Sequence, residues 1–466
     1  MSESTHNASD LERLLDSDTL RDWMCEQRWY AAKSRGLLGV ELLDVAPLGE
    51  DLYLTLVQTR LPTGAHEIYQ LLLLLTPDGP GDGDHSRPAI TSGTDLHVYP
   101  ALHDPHRALA LLSNILADAD IVTAGGRFAF RHIEGAFDPG DDPPVRAMGA
   151  QQSNSSIVVD ERVALKLFRK VESGINPELE MLRFLTARDF EHIAGLQGWY
   201  EYEGSSLAST LGVAQAFVPG SRDGWDLALD EIVAAPDDFL ERLTDLGRVT
   251  ARMHTILASD ASDPAFSPED PTAESMSLLT ASIDEDIEQI FMRLPELDAV
   301  APIRDRGEDV RARLAMRSQV SAGGKLIRIH GDYHLGQTLE TSRGWVILDF
   351  EGEPGRSLPE RRQKRSPLRD VAGMLRSLAY AASAVELQRG GRAPEGFEEQ
   401  ARSVFVSGYM AEVDPALLPA GEAAVNNLLL IFELEKAVYE LRYELNNRPD
   451  WVEIPVAGIR RLLDDA

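Results

Sequence analysis

A loop in the second half of the chain carries the residues whose chemistry is most informative. It runs from Ile327 to Pro354 and reads IRIHGDYHLGQTLETSRGWVILDFEGEP. Apolar residues precede both Asp332 and Asp349, so the loop is predicted to deliver two carboxylates at the ends of two strands. Phosphoryl transfer needs a carboxylate to accept the proton of the attacking hydroxyl and oxygen ligands to hold Mg²⁺ on the phosphates. The loop therefore favours phosphoryl transfer, with Asp332 as the predicted catalytic base.

The spacing within this loop matches a known arrangement of such groups. Protein kinases use the pattern H-R-D-x-x-x-x-N followed by D-F-G, in which the Asn and the second Asp hold Mg²⁺. Here Gln337 lies five positions after Asp332, where the pattern has Asn, and Asp349-Phe350-Glu351 stands where it has D-F-G. Gln337 and Asp349 are therefore the predicted metal ligands. Turn residues next to strands would explain the two aspartates alone, but not an amide at the metal position.

The same loop allows a second interpretation. His330 and His334 flank Asp332, and His-x-Asp-x-His can bind a transition metal, which would make the protein a metal-dependent hydrolase. Such a site needs further ligands, and the sequence contains no HxxEH or CxxC motif. We therefore expect His330 to fix the loop through backbone hydrogen bonds. His334 and Glu351 are predicted to contact the substrate.

A kinase also needs a lysine on a strand, steadied by a helix glutamate, to neutralise the α- and β-phosphates. Residues Val163 to Phe168 read VALKLF, an apolar strand that carries Lys166. The next helix is predicted to begin at Pro177, because proline fits the first helical position. Glu180 in that helix is the predicted partner of the lysine, with Glu178 as second choice.

Two further segments are predicted to bind nucleotide. No G-x-G-x-x-G precedes the strand lysine, and a loop of small polar residues takes its place, whose N–H groups and hydroxyls suit phosphate. An apolar run further along, which ends at Pro219-Gly220, is predicted to be a hinge whose backbone meets adenine. The predicted nucleotide contacts are Ser153, Asn154, Ser155 and Ser156 in the loop and Gln215, Phe217 and Val218 in the hinge.

The C-terminal part offers a candidate sugar site. Tyr439, Glu440, Tyr443 and Glu444 recur at helical spacing, so two rings and two acids share one face of a predicted helix, and Trp451 follows. Sugars are bound by stacking on flat rings and by carboxylates, although the pattern also suits a helix with a buried aromatic stripe. Tyr443, Glu444 and Trp451 are the predicted sugar contacts.

The elements around these loops separate into a β-rich first part and a helical second part. Hairpin strands are predicted at Leu52–Thr59 and Glu67–Thr76, and a long helix at 237–256. This distribution suits an α+β enzyme with two lobes. Further helices are predicted at 277–293, 368–385, 396–411 and 420–447.

Composition narrows the partners and the compartment. The chain has 466 residues and a formal net charge of −31, which disfavours binding to nucleic acid and to anionic membranes. Its most apolar run, Leu71 to Leu75, is far shorter than the ~20 residues of a membrane span. Cys25 is the only cysteine, and the first residues lack the pattern of a secretory signal. We therefore expect a cytoplasmic protein.

Several strings resemble the actinobacterial-type maltokinases, relatives of the aminoglycoside phosphotransferases in the protein-kinase-like superfamily. The strings are QRWYAAKSR at 27–35, HGDYHLGQ at 330–337, DFEGEP at 349–354, SPLRDVAGMLRSLAYAA at 366–382 and EKAVYELRYELNNRPDWVEIP at 435–455. The resemblance implies that ATP phosphorylates maltose to maltose 1-phosphate with Mg²⁺ as cofactor, feeding α-glucan (glycogen) synthesis. It also implies a link with trehalose synthase, which supplies maltose and is a candidate partner.

The resemblance further implies a protein-kinase-like α+β fold with two lobes. Residues 1–100 would form an N-terminal cap subdomain, 101–218 an intermediate subdomain that completes the nucleotide-binding N-lobe, and 219–466 a helical C-lobe with the catalytic loop and the sugar site. Two alternatives stay open: a kinase for another sugar or amino sugar such as glucosamine, and a non-catalytic nucleotide-binding scaffold. The complete set of Lys166, Asp332, Gln337 and Asp349 argues against the scaffold.

Overall fold

The chain forms two compact units. The computed structural model describes residues 8–15, 17–27, 29–30, 33–49, 51–77, 89–92, 96–140, 142–149, 154–318 and 323–464. The first unit comprises Met1–Arg183 and Ala194–Pro219, and the second comprises Phe184–Ile193 and Gly220–Ala466. The first unit is built mainly on sheets and the second mainly on helices, which confirms the predicted α+β, kinase-like class.

The first unit contains two antiparallel sheets and a few helices. Its helices are α1 (Ala8–Leu14), α2 (Ser17–Glu26), α3 (Leu109–Leu116) and the start of α4 (Pro177–Thr186). Its strands are β1 (Gly39–Pro47), β2 (Leu52–Arg60), β3 (His66–Thr76), β4 (Thr91–Ser92), β5 (His97–Pro100), β6 (Asp120–Val122), β7 (Gly126–His132), β8 (Val145–Met148), β9 (Ser155–Val159), β10 (Val163–Leu167), β11 (Lys170–Val171), β12 (Leu196–Gly204) and β13 (Ala208–Ala216).

The two sheets of the first unit share one apolar core. The first sheet has the order β1-β2-β3-β5-β4 with β11 beside β3, and the second has the order β6-β7-β12-β13-β10-β9-β8. Leu54 and Leu72 of the first sheet lie in the same buried cluster as Phe130 and Leu165 of the second. The other face of the first sheet packs on α1 and α2, where Leu11 is fully buried. Side chains alternate between the two faces of a strand. Residues of the first sheet therefore pack alternately against the second sheet and against α1 and α2.

The second unit is predominantly helical. Its helices are α5 (Gly224–Ala234), α6 (Pro236–Leu257), α7 (Ala273–Phe291), α8 (Gly307–Ser318), α9 (Leu358–Arg361), α10 (Leu368–Arg389), α11 (Phe397–Glu412), α12 (Glu422–Asn447) and α13 (Glu453–Asp464), and its strands are β14 (Arg222–Asp223), β15 (Thr338–Thr341) and β16 (Gly344–Ile347). The long predicted helices are confirmed as α6, α7, α10, α11 and α12. Among the described residues, no helix is both long and apolar enough to cross a bilayer.

The prediction of a strand directly before Asp332 is wrong. Leu326 forms only a single bridge to Glu269, and Ile327 forms one to Arg365. The backbone of this segment is satisfied by two different segments in turn, so no continuous ladder can form. The second predicted strand is β16, which ends two residues before Asp349.

Helix α10 is the central element of the second unit. Almost all its residues from Leu368 to Ala381 are buried, because α5, α11, α12 and α13 pack around it. A helix that is buried on nearly every side is expected to be apolar all round. Asp370 and Arg376 are exceptions to that rule on α10, and both are buried. The partners of Asp370 and Arg376 therefore indicate the role of this helix.

Candidate active site

The segment that carries Asp332 is held by a buried carboxylate. Asp370, in the first turn of α10, accepts hydrogen bonds from the backbone N–H groups of His330 (2.7 Å) and Gly331 (3.0 Å). His254 on α6 donates from Nε2 to the same carboxylate at 3.1 Å. Burial raises the pKa of Asp370, but the hydrogen bond and charge of His254 outweigh it and leave the pKa below its ordinary value. Asp370 is thus an ionised anchor of the loop.

Two glycines let the loop approach α10 closely. Gly331 has a φ of +85°, a left-handed conformation that glycine adopts at little cost. At Gly373 on α10, an added Cβ would lie 2.8 Å from the carbonyl oxygen of Tyr333. The backbone around the HGD turn therefore packs directly against the backbone of α10. This contact fixes the position of Asp332.

His330 fixes the loop through both of its ring nitrogens. Nδ1 accepts a hydrogen bond from the backbone N–H of Asp332 at 3.3 Å, and Nε2 lies 2.8 Å from the carbonyl oxygen of Leu348. Because Nδ1 accepts, the proton is on Nε2, which donates to Leu348. Both nitrogens are used by the backbone, as predicted. The hydrolase interpretation therefore loses one of its two candidate histidine ligands.

Asp332 lies against a lysine that the sequence analysis missed. Its Oδ1 is 3.4 Å from Nζ of Lys436 on α12, and the same ammonium is 3.2 Å from Oε1 of Glu353. The Asp332 side chain is 22% exposed, so it is paired and still accessible. Burial lowers the pKa of Lys436, but the two carboxylates outweigh it and raise the pKa above its ordinary value. A charged ammonium therefore adjoins the candidate base at neutral pH.

The predicted metal ligands lie next to each other. Nε2 of Gln337 is 3.1 Å from Oδ2 of Asp349, and the backbone N–H of Leu348 donates to the carbonyl oxygen of Gln337 at 2.9 Å. Asp349 has a φ of +61°, a strained conformation for a residue other than glycine and one found often at functional sites. Carboxylate and amide oxygens are the donors that Mg²⁺ prefers, and rotation of the amide presents its oxygen. These two side chains therefore fit a Mg²⁺ ion.

The predicted substrate contacts His334 and Glu351 belong to the same stretch. His334 precedes the short helix that contains Gln337. The backbone carbonyl oxygen of His334 accepts a hydrogen bond from the backbone N–H of Gln337 at 2.9 Å. Burial lowers the pKa of His334, and the charge of Asp332 offsets part of that shift. Glu351 is half-buried two residues after Asp349. Both residues are thus close in sequence to the reacting groups, and their role in binding substrate stays a prediction.

The strand lysine has a glutamate partner, but it is the second choice. Nζ of Lys166 on β10 lies 2.5 Å from Oε2 of Glu178, and both side chains are almost completely buried. The backbone N–H of Glu178 is capped by Oδ1 of Asn176 at 2.9 Å, which fixes the start of α4. Glu180 lies two residues further along α4 and is half-buried. The predicted order of preference is therefore reversed, because only the helix's rotation about its axis decides which acid faces β10.

The small polar loop is divided between two faces of the second sheet. Ser156 pairs with Lys166 across β9 and β10, and Ser155 pairs with Leu167, so the two serines face opposite sides. Oγ of Ser155 accepts a hydrogen bond from Nε of Arg169 at 2.8 Å, on the side away from the lysine. The predicted role of the Ser155 hydroxyl in binding nucleotide is therefore corrected. Asn154 immediately precedes β9, and Ser153 lies outside the described residues.

The predicted hinge is the end of β13 and the residues after it. Gln215 pairs with Ala164 in the second sheet, and the backbone N–H of Phe217 donates to the carbonyl oxygen of Arg162 at 2.7 Å. That N–H is therefore used within the sheet, which corrects the expectation that Phe217 offers it to adenine. Val218 is half-buried, one residue before the first unit ends.

A polar cavity adjoins the catalytic loop in the second unit. It measures about 290 Å³ and contains Gly331 and Tyr333 of the loop. Four cationic side chains and five carboxylates line it: Arg356, Arg369, Lys436, Arg442, Asp286, Glu353, Glu360, Asp370 and Glu435. Tyr439 and Phe432 of α12 add apolar surface. Convergent polar groups beside a candidate base make this cavity the best candidate for the acceptor site.

The predicted sugar contacts at the C-terminal end form a separate cluster. Glu444 is buried and accepts hydrogen bonds from Arg448 at 2.6 and 2.9 Å and from Tyr380 at 3.3 Å. Trp451 stacks on Tyr380 with ring centroids 6.4 Å apart, and Arg448 lies over both Trp451 and Tyr443. The structure does not place these predicted residues on the cavity by Asp332, which is contacted by the preceding turns of α12. For Glu444 the prediction is corrected, since its buried carboxylate is already hydrogen-bonded to Arg448 and Tyr380.

The chain matches two family models. Residues 144–405 match the Phosphotransferase enzyme family, and residues 23–104 match the Maltokinase N-terminal cap domain. The first match covers the strand lysine, the catalytic loop and the two candidate metal ligands. The second covers most of the first sheet.

Relatives and solved structures are similar over most of their length. A glucosamine kinase of Streptacidiphilus jiangxiensis is 27% identical over 338 residues, which is 69% of this chain and 74% of the relative. One of Mycolicibacterium smegmatis is 26% identical over 342 residues, 69% of this chain and 80% of the relative. A glucosamine kinase solved with glucosamine, ADP and inorganic phosphate superposes with a TM-score of 0.73 at 21% identity, over 98% of this chain and 100% of that one. At that identity the likeness shows the fold.

Proposed function

Because the chain belongs to the phosphotransferase enzyme family, we propose that it transfers the terminal phosphoryl group of ATP to a sugar hydroxyl, with maltose as acceptor. The observation that carries the proposal is the contact of Gln337 with Asp349, both in the unit that holds Asp332. A base and a pair of oxygen ligands are the minimum that phosphoryl transfer asks of a protein. The family match is independent of that geometry.

In the proposed reaction, Asp332 accepts the proton of the sugar hydroxyl as that oxygen bonds to the γ-phosphorus and the bond from phosphorus to the β-phosphate bridging oxygen breaks. Lys436 orients the carboxylate at 3.4 Å, and Asp370 holds the backbone that carries it. Lys166, steadied by Glu178, supplies positive charge for the nucleotide phosphates. Mg²⁺ held by Gln337 and Asp349 would neutralise charge that develops on the phosphates.

The charges of the cavity support a neutral acceptor. Its carboxylates already have partners: Glu353 pairs with Arg356 at 2.6 Å, Glu435 with Arg369 at 2.7 Å, and Asp286 with Arg442 at 3.4 Å. A protonated amine would have to compete with these cations and would approach the Lys436 ammonium. Sugar hydroxyls can donate to the carboxylates and accept from the cations without adding charge. This pattern favours maltose over glucosamine.

Glucosamine stays the second candidate acceptor, because the two relatives described above are named as glucosamine kinases. The cap-domain match favours maltose. The origin of the maltose from a trehalose synthase, and the use of the product in α-glucan synthesis, are part of the proposal through the resemblance of the sequence strings. A direct complex with such an enzyme would appear as co-elution of the two purified proteins.

The first test is a panel of sugars with ATP and Mg²⁺, in which ADP release is followed and the product identified. We expect release that depends on maltose and phosphate on the anomeric carbon of the reducing end. Asp332→Asn should lower the rate at least ~100-fold, since it removes the base. The matched control is Asp245→Asn, an exposed aspartate that forms an ion pair with Arg248 within its own helix. Phosphorylation of glucosamine alone would overturn the acceptor, and no turnover with any sugar would favour the scaffold.

A further inference from the structure

A second cavity lies within the first unit. It measures about 490 Å³ and contains side chains from α2, from the first sheet and from the start of β9. The residues that line it are Trp23, Gln27, Trp29, Leu71, Leu72, Pro100, Leu102, His103, Ala147, Met148, Gly149, Asn154, Ser155, Ser156, Ile157 and Arg169. This cavity shares no residue with the cavity beside Asp332.

Among the described residues, the lining of this cavity contains no acidic side chain, although the chain has 76 Asp and Glu against 45 Lys and Arg. In the described part of the chain, Arg169 forms no ion pair, and its one hydrogen bond uses Nε, which donates to Ser155. Its guanidinium carbon lies 5.2 Å from the ring centre of Trp29. Burial lowers the pKa of Arg169 to about 10, as expected for a desolvated cation with no carboxylate beside it. The terminal nitrogens are thus left with positive potential and no internal anion.

Part of the cavity lining is aromatic. Trp23 and Trp29 meet edge to face with ring centres 6.0 Å apart. Such rings offer flat apolar surface for stacking, and their N–H groups can donate hydrogen bonds. His103, Gln27 and the serines at the start of β9 supply polar groups around them. An arginine fork binds phosphate with two parallel hydrogen bonds, and indole faces pack on the apolar face of a sugar ring.

From these features we propose that this cavity binds a sugar phosphate, with Arg169 on the phosphate and Trp29 against the sugar ring. The site includes three residues of the predicted nucleotide loop, since Asn154, Ser155 and Ser156 line it. It is distinct from the strand lysine, because Ser155 and Arg169 lie on the side of the second sheet away from Lys166. A ligand in this cavity contacts β9, the strand next to the predicted phosphate loop. Binding in the cavity is therefore coupled to that loop.

The test is calorimetric titration of the full-length protein, without nucleotide, with glucose 1-phosphate, glucose 6-phosphate, inorganic phosphate and glucose. We expect a sugar phosphate to bind and glucose not to bind. Arg169→Gln should weaken binding at least ~10-fold, since it removes a charge-assisted pair of hydrogen bonds. Arg183→Gln is the matched control, because Arg183 also lies over an indole, that of Trp199 at 4.9 Å, but does not line the cavity. Trp29→Phe keeps a ring and should weaken the sugar phosphate more than inorganic phosphate.

Three outcomes would overturn the proposal. Binding of the sugar phosphate that is unchanged in Arg169→Gln would place it elsewhere, for example beside Asp332. Inorganic phosphate bound as tightly as the sugar phosphate would reduce the cavity to a simple anion site. Loss of ADP binding in Arg169→Gln, with no sugar phosphate bound by the wild type, would assign the cavity to nucleotide. None of these results depends on whether maltose is phosphorylated, so the proposed reaction can fail while this site stands.

Discussion

We expect the choice of acceptor to depend on the residues around Lys436. Its ammonium touches both Asp332 and Glu353, so a substitution changes the charge that an incoming sugar meets at the base. Lys436→Met should reduce kcat/KM for maltose at least ~10-fold, because the base loses the partner that orients it. The same change should raise the relative activity with glucosamine, whose ammonium can take the vacated place. Both are measured by steady-state kinetics with each sugar.

A matched control for Lys436→Met is available on the same helix. Arg442→Met removes another cation that lines the cavity, one paired with Asp286 and not with the base. It should alter the KM for the sugar with little effect on kcat. If Lys436→Met and Arg442→Met changed the ratio of maltose to glucosamine activity equally, total charge and not the contact with Asp332 would set the preference.

Glu353, which lines the cavity beside Asp332, gives the stability of the protein a measurable pH dependence. Burial raises the pKa of Glu353, but Lys436, Arg369 and Arg356 outweigh it and lower the pKa from 4.5 to about 2. Because the folded pKa lies below the unfolded one, ionised Glu353 stabilises the fold above pH 4.5, and this contribution is lost as the pH falls toward 2. The shift corresponds to roughly 3 kcal/mol at most.

The measurement is urea unfolding of the wild type and of Glu353→Gln at several pH values. The variant should be less stable than the wild type at neutral pH, and the difference should shrink as the pH falls below 4.5. Glu386→Gln is the control, since Glu386 is an exposed glutamate on α10 that does not line the cavity. A difference that stayed constant down to pH 3 would show that packing, and not the charge of Glu353, stabilises the loop.

At the scale of elements, α4 decides which glutamate serves the strand lysine. Glu178→Gln should lower kcat/KM for ATP at least ~10-fold, because Lys166 would lose a buried partner at 2.5 Å. Glu180→Gln is the matched variant on the same helix and should have a smaller effect. Initial rates at varied ATP concentrations, with the sugar saturating, separate the two. Equal losses would mean that both acids act on the nucleotide side.

The elements also show which parts of the site could be predicted from the sequence. The proximity of Gln337 and Asp349 was predictable because a short motif sets their spacing, and the structure brings them to within 3.1 Å of each other. Pro177 at the start of α4 was predictable because the reason is local. Lys436 was not, since it is 104 residues from Asp332 and meets it only through the packing of α12. The string that contains it, EKAVYELRYEL, pointed to α12 but not to the right turn of that helix.

Errors at the level of faces have the same origin. A strand's alternation determines that Ser155 and Ser156 point to opposite sides, but not which side binds nucleotide. That depends on the first sheet, which covers one face of the second and buries Leu165 and Leu167 with it. The covering sheet comes from residues far earlier in the chain. Single-sequence patterns therefore identify the elements well and assign their faces poorly.

At the scale of the whole molecule, charge should control how copies of the chain behave toward each other. The formal net charge is −31 at pH 7, and the isoelectric point is about 4.7. Like charge keeps molecules apart, so the second virial coefficient from light scattering should be positive at neutral pH and fall toward zero or below near pH 4.7.

Added salt should lower the coefficient at pH 7, because it screens this repulsion over about 10 Å at 0.1 M. Near the isoelectric point salt has little net charge to screen, so that arm is the control. A coefficient that did not change with pH across this range would show that net charge does not control the interaction between molecules.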